Sequence, residues 1–133
     1  MAQESKTVLV VEDSATQVMH LRSLLEKVHL NVLMAVDGQM GLDMAKSIRP
    51  DLVILDLQMP RMNGFQVVQA LKQLKETVDI PIIMFSIHKD IETQNMGTQL
   101  GVIEFIPKDA FADVVLLETL REMGFIERTS LSE

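Results

Sequence analysis

The chain has 133 residues, 47% apolar and 23% charged, a balance that fits one globular domain and excludes a collagen, a coiled coil or a disordered chain. Nineteen acidic residues against twelve basic ones give a net charge of −7, which argues against wholesale binding to nucleic acid. Cysteine is absent, excluding disulfides, thiolate metal sites and a cysteine nucleophile, and no apolar run approaches the roughly 20 residues of a membrane helix.

Residues 1–5 form a short polar start, and the apolar run after them is too brief for a secretory signal, so a cytoplasmic domain is expected. Val8 to Val11 is apolar on both faces, as a central parallel strand should be. Ser14 can cap the helix that follows, on which Val18, Leu21, Leu25 and Val28 make one face. Val32 to Val36 reads as a second strand, Asp37-Gly38 as a turn, and Leu42, Ala45 and Ile48 as the stripe of a second helix stopped by Pro50. Leu52 to Leu55 is the third strand, ending at Asp56. A loop broken by Pro60 and Gly64 leads to a helix carrying Val67, Val68, Leu71 and Leu74. Pro81 opens the fourth strand, Ile82 to Phe85, which ends at Ser86. Asp90 to Leu100 is a polar helix terminated by Gly101. Val102 to Ile106 is the fifth strand, ending near Lys108, and the last helix runs from about Phe111 to Met123, closed by Gly124. The unit spans residues 6–124. Residues 125–133 form a polar tail, expected to be frayed from Glu127 onward.

Five strands alternating with five helices imply a parallel sheet covered on both faces. Right-handed crossovers favour a flavodoxin-like, doubly wound sheet of order 2-1-3-4-5, whose ligands bind outside the carboxyl ends of the strands. Those ends carry Glu12-Asp13, Asp56, Ser86 and Lys108. Three carboxylates stay ionised together only with positive charge between them, and hard oxygen ligands select Mg²⁺, with Mn²⁺ as a possible substitute. One Mg²⁺ and Lys108 would neutralise the three acids. A phosphoryl group could then approach Asp56, which would attack phosphorus to form an acyl phosphate. Lys108 and Ser86 would stabilise charge on the phosphoryl oxygens.

These residues carry a resemblance. Val8-Leu9-Val10-Val11-Glu12-Asp13-Ser14, Asp51-Leu52-Val53-Ile54-Leu55-Asp56-Leu57-Gln58-Met59-Pro60, Met62-Asn63-Gly64, Pro81-Ile82-Ile83-Met84-Phe85-Ser86 and Phe105-Ile106-Pro107-Lys108 together resemble the receiver domain of two-component response regulators. The likeness covers about residues 6 to 124, and the order and spacing of five separate pieces make it specific. It implies that Asp56 is the phosphoacceptor, charged by a histidine kinase or a histidine phosphotransfer protein. It implies that Glu12, Asp13, Asp56 and the backbone carbonyl of Gln58 hold Mg²⁺, and that Lys108 binds the phosphoryl group. Ser86 and Phe105 match the family's switch pair. Output would pass to a partner protein on the face of the fourth helix, fifth strand and fifth helix. The resemblance implies a phosphoacceptor rather than a turnover enzyme. It implies a stand-alone regulator of the chemotaxis type, or alternatively a receiver excised from a hybrid kinase or a longer regulator.

Two departures and two tuning positions stand out. Lys108-Asp109 replaces the family's usual Lys-Pro, and a cis bond there would cost about 3 kcal/mol more than one before proline. Ile87 follows Ser86 where the family favours a small residue, and would slow small phosphodonors. Gln58 and His88 sit near positions that tune dephosphorylation. Other functions on this fold fit less well. A flavin mononucleotide carrier needs a phosphate loop where Glu12-Asp13 would repel the phosphate. An aspartate-nucleophile phosphatase needs a second acid two residues after the nucleophile, and Gln58 stands there. A receiver acting through protein contacts without phosphorylation would not require the intact acidic set.

Overall fold

Ten elements alternate along the computed structural model, which describes residues 5–127. They are β1 (Thr7–Val11), α1 (Ala15–Glu26), β2 (Asn31–Ala35), α2 (Gly38–Ile48), β3 (Leu52–Asp56), α3 (Gly64–Lys72), β4 (Ile82–Ser86), α4 (Ile91–Leu100), β5 (Glu104–Pro107) and α5 (Ala112–Glu122). The strands are all parallel, in the order β2-β1-β3-β4-β5. The order runs outward both ways from β1 and β3, so the crevice between them opens at the carboxyl ends of these two neighbours.

Alternation along the strands sorts the core into two layers. Leu9, Val11, Val53, Leu55, Ile82 and Met84 face α2 and α3, meeting Ala45, Val67, Val68 and Leu71. Val8, Val10, Ile54, Ile83, Phe85 and Ile106 face α1 and α5, meeting Leu21, Leu25, Leu116 and Leu120. Each fully buried aliphatic side chain contributes about 1.5–3 kcal/mol, and cutting Leu116 to Ala would cost about 2–5 kcal/mol.

Side-chain caps start four of the helices. Ser14 Oγ accepts the Gln17 N–H, Asp37 the Met40 N–H, and Asp90 the Thr93 N–H. Asn63 and Gln66 close a reciprocal capping box on α3. At the far end of α1, His29 adopts φ 69° and turns the chain into β2.

Several boundaries differ from the expectation. Val36 lies outside β2 and is exposed, because pairing ends at Ala35 and Asp37 already caps α2. Ile48 points to solvent; α2 packs instead through Gly38, Gly41 and Ala45. A Cβ on Gly41 would lie 2.7 Å from a Val11 methyl, so small residues, not large ones, mark the buried face. Leu74 falls beyond α3, which ends at Lys72. Val102 is buried but not in a strand: its N–H bonds the Gly97 carbonyl, making it the apolar residue of the α4 terminus after Gly101 at φ 108°. β5 therefore starts later, at Glu104. Phe111 is the N-cap position just before α5 and is exposed; its N–H bonds Asp109 Oδ1 at 2.9 Å in the turn that leads in. The peptide after Lys108 is trans. Of the frayed tail expected from Glu127 onward, residues 128–133 lie outside the described residues. Among the described residues no helix is long and apolar enough to cross a membrane.

Candidate functional site

The site is assembled by strand ends. Val11 hands the chain to Glu12, whose N–H bonds the Ala35 carbonyl of β2. Asp56 closes β3 in register with Phe85, and Ser86 closes β4 in register with Pro107, so Lys108 emerges beside both. The Lys108 N–H bonds the Ser86 carbonyl, which fixes where its side chain begins. Gly64 lets the loop after β3 fold back: a Cβ there would sit 2.6 Å from the Asp56 carbonyl oxygen.

Glu12, Asp13 and Asp56 bring one carboxylate oxygen each within 4.8 Å of one another. Glu12 and Asp56 are buried, at 3% and 5% exposure, while Asp13 is open to solvent. Lys108 Nζ lies 2.9 Å from Asp56 Oδ1 and 3.3 Å from Glu12 Oε1. The Ser14 N–H donates to Glu12 Oε2 at 3.2 Å. Burial pushes the Asp56 carboxyl above its ordinary range, against the pull of Lys108. Burial and the neighbouring Asp56 charge do the same to Glu12. Burial works to lower Lys108, but Asp56 and Glu12 outweigh it and hold the ammonium above its ordinary value. One lysine thus serves two buried acids with a third at the rim, a surplus of negative charge in oxygen ligands alone. That donor set fits a hard divalent cation and does not fit zinc or copper.

The remaining expected residues divide. Ser86 is fully buried, and its Oγ accepts the His88 N–H at 2.9 Å. Gln58 and His88 are exposed at the mouth, with Gln58 Nε2 2.8 Å from His88 Nε2. Ile87 is 62% exposed. Phe105 stands apart from the carboxylates. Its half-buried ring lies under α4, where a Cβ on Gly97 would approach it to 3.0 Å. Sequence reasoning did not pair Gln58 with His88, because the two are thirty positions apart and only the β3–β4 neighbourhood joins them. It also left Gly97 unremarked, although an interior helix glycine is itself a sign of close approach.

A family model, the response regulator receiver domain, matches residues 8–121. The chain belongs to the response regulator receiver domain family. This receiver is 36% identical over 110 residues to Protein PilH of Pseudomonas aeruginosa, covering 82% of this chain and 90% of PilH. It is 32% identical over 126 residues to the transcriptional regulatory protein CpxR of Escherichia coli, covering 95% of this chain and 51% of CpxR. The chain thus spans only about half of CpxR, and 42% of the regulator ycf27 of Porphyridium aerugineum. Among solved structures it resembles the Vibrio cholerae chemotaxis protein CheY4 with TM-score 0.82 and 29% identity, covering 90% of this chain and 98% of that one. The receiver domain of the sensor histidine kinase PA1611 from Pseudomonas aeruginosa shares the fold at TM-score 0.81 and 19% identity, over 90% of this chain and 97% of that one. That domain is described with a magnesium ion coordinated in its active site cleft. The family role is that of a phosphoacceptor switch in two-component signalling.

Proposed function

We propose that residues 6–124 are the receiver unit and that Asp56 is its phosphoacceptor. The observation that carries this reading is the Lys108 ammonium, 2.9 Å from Asp56 Oδ1, with Glu12 and Asp13 beside it. A phosphohistidine on a histidine kinase or a histidine phosphotransfer protein supplies the group. An Asp56 carboxylate oxygen attacks phosphorus as the phosphorus–nitrogen bond breaks, leaving an aspartyl phosphate and a free imidazole. Lys108 passes from the carboxylate to a phosphoryl oxygen, and the Ser86 hydroxyl donates to another while still accepting from the His88 N–H. Glu12, Asp13, Asp56 and the Gln58 carbonyl would hold Mg²⁺, or Mn²⁺ in its place, which neutralises the incoming phosphoryl charge.

The chain is its own substrate and turns over no other. Withdrawal of Lys108 and Ser86 toward the phosphoryl group moves the end of β4, and the Phe105 ring follows against Gly97. The α4–β5–α5 face then presents a changed surface to an output protein, with no nucleic acid and no membrane insertion involved. We place this action in the cytoplasm. The test is incubation with a phosphohistidine donor, with Mg²⁺ and then with a chelator. Labelling that survives complete chelation overturns the metal assignment.

A further inference from the structure

Basic residues cluster in one place near the amino ends of the strands. Carboxylates gather at the carboxyl ends of the strands. At the opposite end lies a cavity of about 600 Å³ walled by Lys6, Lys27, His29 and Arg121, with Val28 and Phe125 among its apolar residues. Lys6 leads into β1, Lys27 and His29 follow α1, and Arg121 sits in the last turn of α5. The five residues of β1, roughly 17 Å of strand, separate this cavity from Glu12.

Helix dipoles account for part of this cluster. The carbonyl ends of α1 and α5 attract Lys27 and Arg121. Arg121 also pairs with Glu118 at 3.4 Å. Dipoles do not account for Lys6, whose Nζ stands 5.6 Å from the centre of the Phe125 ring. Among the described residues neither Lys6 nor Lys27 has an ion-pair partner, and Glu127 is the one carboxylate on the cavity wall. In a chain of net charge −7, the described wall of this cavity carries Lys6, Lys27 and Arg121 against Glu127 alone, around an apolar floor. The volume lies within the range of small-molecule sites, and the pairing of ammonium groups with an aromatic face suits an anion attached to a flat group.

We propose that this cavity binds a nucleotide-like organic phosphate. Its phosphate sits among Lys6, Lys27 and His29, and its flat part packs on Val28 and Phe125. The site is independent of Asp56 and does not require phosphorylation.

The test is a titration of the isotopically labelled full chain with adenosine monophosphate, in chelator so that no divalent metal bridges the ligand to the acidic end. Inorganic phosphate and adenosine are titrated separately. The proposal expects saturating amide shifts around Lys6, Lys27, His29 and Phe125 with adenosine monophosphate, and weaker ones with either half alone. The double variant Lys6→Gln/Lys27→Gln should bind at least about tenfold more weakly, with its fold retained as judged by circular dichroism. Absence of saturating shifts at these positions overturns the proposal. So does equal binding by the variant, or inorganic phosphate matching the nucleotide in affinity.

Discussion

Lys108 reaches Asp56 at 2.9 Å across the ends of β3 and β5, the two strands that flank β4. The ammonium occupies the place from which it can turn to an arriving phosphoryl oxygen. It also holds together two buried acids that would otherwise repel each other.

Removing that cation separates its two roles. Lys108→Gln leaves Glu12 and Asp56 buried without a partner, so metal-free stability should fall by about 2 kcal/mol, measured by urea unfolding in chelator. Affinity for Mg²⁺ should rise, because the metal then faces uncompensated acids. A variant that binds Mg²⁺ more weakly than the parent contradicts this electrostatic picture.

The raised carboxyls give the apo chain an unusual pH dependence. Burial lifts Asp56 above 3.8 and Glu12 above 4.5, so the folded chain holds protons that the unfolded chain has released. The stability these groups contribute is complete below their ordinary values and is lost as pH rises through the raised ones. Melting midpoints in chelator, for the parent and for Glu12→Gln/Asp56→Asn, should show the parent losing ground to the variant as pH rises from the ordinary values through that window. Mg²⁺ binding should weaken as pH falls through the same window, since protonated carboxyls cannot ligate.

Ile87 stands exposed beside the buried Ser86. Ile87→Ala should speed phosphorylation by small phosphodonors a few-fold, with a stability change within about 0.5 kcal/mol. A rate equal to the parent's removes Ile87 from the control of access.

The Gln58 and His88 side chains bridge the mouth at 2.8 Å. His88→Ala should open that mouth to water and shorten the life of the phosphorylated form a few-fold, followed by loss of label after donor removal. An unchanged decay leaves the bridge without a part in hydrolysis.

Much of this was legible in the sequence because parallel strands write themselves as short runs apolar on both faces. Val8–Val11, Leu52–Leu55 and Ile82–Phe85 could not be helices of any useful length, and the polar residues that end them (Glu12 and Asp13, Asp56, and Ser86) fall together once the strand order is known. Small residues hid the rest. Gly41 and Ala45 bury α2 against Val11 where a reader looks for Ile48, and Gly97 seats α4 on Phe105 without any apolar stripe. Val102 looks like strand and serves as a helix terminus, because a buried valine satisfies either context. Contacts between exposed polar side chains on neighbouring loops, such as Gln58 with His88, leave no periodic trace at all.

The central claim is that Asp56 receives the phosphoryl group. The most direct measurement is Mg²⁺-dependent labelling from a phosphohistidine donor, with the modified residue located by mass spectrometry in the parent and the reaction repeated on Asp56→Asn. The account predicts one label on Asp56 and none on the variant. Equal labelling of the two proteins would contradict it.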